Sequence, residues 1–235
     1  MFFLRKRSII PVFTGATTTS AVASTSTTFT VNYPPTSSNG DWVEINLYFI
    51  NTASSAISPT TPTGWTPITD VNNSSNFALG GWSYGKFRGS ETSVAVTVSP
   101  AEYAMASSIS FLGSTVSASS PVNVATAATS SQSSTASTTC SPASITTTVE
   151  NCALILSAMS INTAGATSFT YSWGSSYTAR ASTAAQVGSL SDELGCSVAT
   201  GVQVNPGATG TATCTSSVST DYLYAIAIAV TPATG

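Results

Sequence analysis

Trp42-Val43-Glu44-Ile45-Asn46-Leu47-Tyr48-Phe49-Ile50 is a strand-length run, apolar on both faces over most of its length. Its length and its β-branched and aromatic content mark a strand, and apolarity on both faces marks a central one. Asn39-Gly40 supplies a turn just before it. The run has a counterpart in Cys152-Ala153-Leu154-Ile155-Leu156-Ser157-Ala158-Met159-Ser160-Ile161, which also follows a Ser/Thr-rich stretch. Other pairs keep the same order. Gly64-Trp65-Thr66-Pro67-Ile68 answers Ser176-Tyr177-Thr178-Ala179-Arg180, residues 92–98 answer 209–215, and residues 103–112 answer 222–230. The offset stays at roughly 110 to 120 residues, far beyond the periods of solenoids. The chain therefore reads as all-β: an antiparallel, jelly-roll-like β-sandwich built from two similar halves. Residues 14–113 and 114–235 are the halves of one compact sandwich, preceded by an N-terminal arm of residues 1–13.

Composition agrees with a β scaffold and narrows the partners. At 235 residues the chain is long enough to bury a real core. Only 6% of residues are charged, against about 25% in an ordinary soluble domain. Ser and Thr make up about a third of the chain, while hydrophobic residues still reach 42%, which argues against disorder. Net charge is −3, and three of the six basic residues are Arg5, Lys6 and Arg7. Beyond residue 7 no basic face can be assembled, so nucleic acid is not expected as a partner. No apolar run approaches the roughly 20 residues of a membrane-spanning helix, so no membrane is expected either. Pro11 breaks the apolar run after Arg7, which argues against a cleaved signal peptide.

Along the chain, residues 27–31 alternate as a strand that Pro34-Pro35 stops. Residues 58–63 read as a Pro-rich loop and 71–76 as a polar loop. Residues 77–87 read as a strand with a bulge or bend at Gly80-Gly81. Pro121 opens the second half as Pro11 opens the first, and residues 125–139 read as a long hairpin or exposed loop.

The residues offer little catalytic chemistry. There is no His, so no His-based triad can form, and the Gly residues make no phosphate-cradling motif. Of the nine carboxylates several, such as Asp41, Asp70, Glu150 and Asp221, fall beside strand ends, where turn and edge roles account for them. No catalytic residue, cofactor or metal is assigned, and the chain is not expected to be an enzyme. Cys140, Cys152, Cys196 and Cys214 form no CxxC pair, and with no His a structural zinc site is not expected. Two readings of the cysteines stand: disulfides, with Cys140–Cys152 and Cys196–Cys214 as neighbouring staples, or four small buried thiols. Trp65, Trp82 and Tyr177 lie near turns or strand ends, where rings could stack on a glycan, or else anchor the core. The opening residues Phe2, Phe3, Arg5, Lys6, Arg7, Ile9 and Ile10 mix apolar and basic character, which suits an arm that docks on a partner.

Three motifs in order carry a family resemblance: Gly40-Asp41-Trp42-Val43-Glu44-Ile45, then Pro62-Thr63-Gly64-Trp65-Thr66, then Gly81-Trp82-Ser83-Tyr84-Gly85-Lys86 before a Ser/Thr-rich strand. The series resembles a β-sandwich module of tailed-bacteriophage virion structural proteins. Tyr177 stands where the pattern has a second Trp, and the four cysteines lie outside it. The resemblance implies a non-catalytic virion component on the particle exterior, with the major capsid protein or other virion proteins as partners and a homo-oligomeric state. Within that class the expectation is a head decoration (cement) protein that stabilises the capsid. The alternative is a tail-associated receptor- or glycan-binding protein.

Overall fold

The computed structural model describes residues 8–51, 57–72, 78–126, 131–162, 170–188 and 192–234, and 68% of them are strand. The first half contains β1 (Phe13–Asn32), β2 (Trp42–Asn51), β3 (Ser58–Thr60), β4 (Thr66–Asn72), β5 (Ala78–Phe87) and β6 (Ser93–Phe111). The second contains β7 (Val122–Thr126), β8 (Ser131–Cys140), β9 (Thr146–Thr147), β10 (Cys152–Asn162) and β11 (Tyr171–Trp173). It continues with β12 (Thr178–Gln186), β13 (Glu193–Gln203), β14 (Gly207–Ala208) and β15 (Cys214–Val230). A short 3-10 turn, Gly113–Thr115, lies between the halves.

The two main sheets follow one path. The first runs β1-β6-β2-β5-β4 with β3 added to β6; in the second, β15-β10-β13-β12 follow in the same order with β11 on β15. The place of the long β1 is taken by β7 and β8, both antiparallel to β15. A shared irregularity strengthens the match. The β4–β5 ladder slips between Pro67 and Thr69, and the β12–β13 ladder slips between Ala179 and Ala181. The extra residues, Ile68 and Arg180, are the ones that the sequence comparison places opposite each other. A bulge re-aims its side chain. Ile68 packs on the seam between the halves, and the Arg180 guanidinium lies 4.1 Å from the centre of the Phe13 ring.

Alternation along the central strands explains the layering. On β2, Val43, Ile45, Leu47 and Phe49 point into a core made only of first-half residues. Phe29, Val31, Val96 and Val98 join that core. The distal part of the β1–β6 ribbon therefore folds back over this face, turning where its register shifts between Ala21 and Thr28. The other face of β2 meets the second half: Trp42 enters one shared cluster, and Tyr48 and Ile50 enter another. On β10, Cys152, Leu154 and Leu156 enter a core private to the second half, while Ile155, Met159 and Ile161 face the seam. Both central strands are buried on both faces, which is why they read as apolar throughout.

Three local expectations change. Gly80 and Gly81 pair with Phe49 and Tyr48 in unbroken register, so β5 carries no bulge there. The glycine at 80 makes room for the Trp82 ring two residues on, since a Cβ would sit 2.0 Å from Trp82 Cη2. Residues 58–60 of the anticipated loop form β3, because the end of β6 offers an open edge at Thr97 to Ser99. The described parts of 125–139 do not pair with each other as a hairpin: β7 and β8 each pair with β15.

Candidate functional site

Residues 8–12 are strapped to the body. Ser8 bridges Thr234, the Ile9 amide donates to Ala233 O at 3.4 Å, and the Leu112 amide donates to Val12 O at 2.8 Å. Asn151 Nδ2 donates to Ser8 O at 3.1 Å, and the Asn151 amide donates to Val204 O at 2.9 Å. Asn151 has a φ of 59°, a left-handed conformation that Asn tolerates better than most side chains. It thereby ties the first residues described to the end of β13. Phe13, the last residue of the anticipated arm, is the first of β1 and lies edge-on to Phe111 at 6.3 Å.

The side chains along this strap remain open. Ile9, Ile10, Val12, Leu112, Val202 and Val204 are between 40% and 56% exposed, and they are the exposed large hydrophobics among the described residues. Ile9, Ile10 and Val12 lie along the strap, Leu112 is bonded to Val12, and Val204 accepts from the Asn151 amide, whose side chain also holds Ser8. Phe2, Phe3, Arg5, Lys6 and Arg7 lie outside the described residues.

The three motifs of the first half meet around an open cleft of about 640 Å³. Trp42, Gly64, Thr66, Pro67, Gly85 and Lys86 line one side, and Pro121 and Val122 line the other. Gly85 lets Trp42 lie flat across β5, since a Cβ would sit 2.7 Å from Trp42 Cζ2. Lys86 Nζ contacts Glu91 Oε1 at 2.5 Å. That hydrogen bond holds the Glu91 carboxyl down near pKa 2, so the cation beside the cleft is already paired.

The proposed stacking aromatics do not form one platform. Trp65 is only 7% exposed and packs in the first-half core, 5.8 Å from Tyr33. Trp82 is half-buried against Phe49 at 5.7 Å, and Tyr177 is half-buried against the private core of the other half. The ring of Trp65 is committed to packing, so the core role considered for it is the one it occupies.

All four cysteines are buried free thiols. Cys152 lies in the second-half core, Cys196 in the seam with its thiol donating to Ala106 O at 3.7 Å, and Cys140 directly across from Cys214. Cys140 and Cys152 lie in different clusters, as do Cys196 and Cys214, so the structure brings neither neighbouring pair together. Among the described residues no group of three or more His, Cys, Asp or Glu is placed to hold a metal ion.

Sequence reasoning missed a buried polar seam. Glu44 is fully buried on β2; Asn46 Nδ2 donates to its Oε1 at 2.8 Å, and Ser83 Oγ donates to Asn46 Oδ1. Burial pushes the Glu44 carboxyl up to about 8, and Glu102 is pushed up to about 8 by the same cause. Further along, Tyr48 OH pairs with Ser157 Oγ across the two halves, and Ser160 Oγ lies 2.5 Å from Tyr171 OH. The available signal was the polar alternation Glu44, Asn46, Tyr48 within an otherwise apolar run.

Comparisons of the chain with protein-family models, with curated proteins and with solved structures returned no match.

Proposed function

We propose that this chain is a non-catalytic virion structural protein of a tailed bacteriophage, a head decoration protein that docks on the major capsid protein. The observation that carries the proposal is the strap of residues 8–12, whose Ile9, Ile10 and Val12, with Leu112 bonded beside them, are open to solvent while backbone hydrogen bonds hold it to the body. Exposed apolar side chains in succession mark a surface that another protein covers. The scaffold suits the role: a body with 6% charged residues and two β halves joined through a packed seam carries load without chemistry. The resemblance of the three first-half motifs to phage virion modules supplies the particle. Decoration multiplies a modest contact over many copies, so the area buried per subunit need not be large.

Ile9→Asp with Ile10→Asp should weaken binding to particles stripped of this protein by about tenfold to a thousandfold, as each isoleucine forfeits its burial and gains a charge. Circular dichroism should be unchanged, because both side chains are exposed in the free protein. Unaltered binding would overturn this edge as the contact. Quantitative mass spectrometry of purified particles tests the assignment itself: tens to hundreds of copies support decoration, a handful moves the protein to the tail, and none removes it from the virion.

A further inference from the structure

In the first half, the long β1 pairs with β6. In the second, β7 and β8 take that place on β15, and β8 is an edge strand whose ladder, among the described residues, runs to β15 alone. Edge strands open more readily than the central strands they flank.

At the end of that edge two thiols face each other. Cys140 closes β8, Cys214 opens β15, and they are register partners. The neighbours confirm the alignment: Thr139 is opposite Thr215 one step inward, and Ser141 Oγ lies 3.5 Å from Thr213 Oγ1 one step outward. Directly opposed residues of an antiparallel pair project from the same face, with Cα atoms about 4.5 or 5.5 Å apart. That spacing falls inside the range of roughly 4.4–6.8 Å spanned by disulfides. Both side chains join the same buried cluster. The Cys214 thiol is pushed up chiefly by burial and further by the neighbouring Cys140, so the two groups sense each other electrostatically. Cys152 and Cys196 sit in two other clusters.

We propose that Cys140 and Cys214 are a disulfide site that staples the edge strand β8 to β15. The inference is independent of the virion assignment. The oxidant is a small-molecule disulfide such as oxidised glutathione. One cysteine thiolate attacks it, forming a mixed disulfide and releasing one glutathione thiol. The second cysteine then attacks the protein sulfur of that mixed disulfide, closing the Cys140–Cys214 bond and releasing the second glutathione thiol. Two protein thiols are oxidised and one external disulfide is reduced to two thiols. Both thiols are buried and held protonated, so exchange proceeds while β8 is open or the chain is still folding, and the closed bond is then shielded from reductant. The closed loop spans roughly 70 residues, long enough for a large restriction of the unfolded chain.

The test is to refold the full chain in a glutathione redox buffer, alkylate free thiols in denaturant, and map peptides without reduction. Glu-C and elastase separate all four cysteines. The expected result is a peptide pair linked through Cys140 and Cys214, with Cys152 and Cys196 alkylated. The oxidised protein should melt about 10 °C above the same chain refolded under reductant, whereas Cys140→Ala/Cys214→Ala should melt alike from both preparations. Four alkylated cysteines, or linkage through Cys152 or Cys196, overturns the proposal. The wild-type peptide map decides the matter even if the double variant fails to fold.

Discussion

Replacing Trp42 with Ala should cost about 3–5 kcal/mol of stability. Trp42 is 1% exposed, and its ring enters a cluster with Ile109 and Phe111 of its own half and Ala153, Ile155 and Val230 of the other. Phe111 stands 6.5 Å away, ring centre to ring centre. Removing the indole thus loses transfer free energy and opens a cavity where two sheets meet, and little can collapse into it because β2 is hydrogen-bonded on both sides. The loss should appear in urea unfolding with the midpoint shifted and the slope retained. A cost under 1 kcal/mol would mean that Trp42 does not anchor the seam. Gly85→Val offers an independent check, because the added side chain enters the same ring from β5 and should also destabilise the fold.

Stability should fall as pH rises from about 4.5 to about 8, and Glu44→Gln should flatten much of that fall. The folded carboxyl of Glu44 keeps its proton up to about pH 8, whereas an exposed one releases it near 4.5. Between those values unfolding releases a proton, so the folded state loses ground with each added pH unit. The slope is about 1.4 kcal/mol per pH unit for one group, or roughly 5 kcal/mol across the window as an upper bound. Below about pH 4.5 both states are protonated and the contribution is complete. Glu102, also raised to about 8, adds to the fall. With no His in the chain, few other groups titrate in this range. Gln keeps an oxygen for the Asn46 amide and carries no proton to lose, so the variant should match wild type near pH 4.5 and exceed it near pH 8. Parallel stability–pH curves for the two proteins would show that Glu44 ionises normally.

Local pattern made much of the scaffold legible. The run from Trp42 to Ile50 predicted a central strand, and it is one, because a strand packed on both faces has no polar side to display. Three of the four ordered counterparts correspond to strands at equivalent positions of the second sheet, down to the residues that bulge at 68 and 180, whereas 209–215 becomes strand only at Cys214. The same alternation was silent on surroundings. Trp65 near a turn reads equally as a platform or as core, and only the packing of Tyr33 against it decides. Gly80-Gly81 reads as a bulge until the Trp82 ring is seen to need the space. Residues 125–139 read as a long hairpin or exposed loop because their partner, β15, comes far later in the chain.

The amino-acid sequence alone determined that this protein is all-β, that it is made twice over, and which strands are central, since those properties follow from side-chain alternation and turn residues within a few positions. Tertiary structure decided the rest: that Glu44 lies dry between two halves, that the strap of residues 8–12 is bonded to the body with Ile9 and Ile10 exposed, and that Cys140 meets Cys214. Each of these brings together residues distant in the chain or sheets that pair only on folding. Such meetings depend on strand register and on which faces bury each other, and both are settled by the summed packing of the whole molecule rather than by any local stretch of sequence.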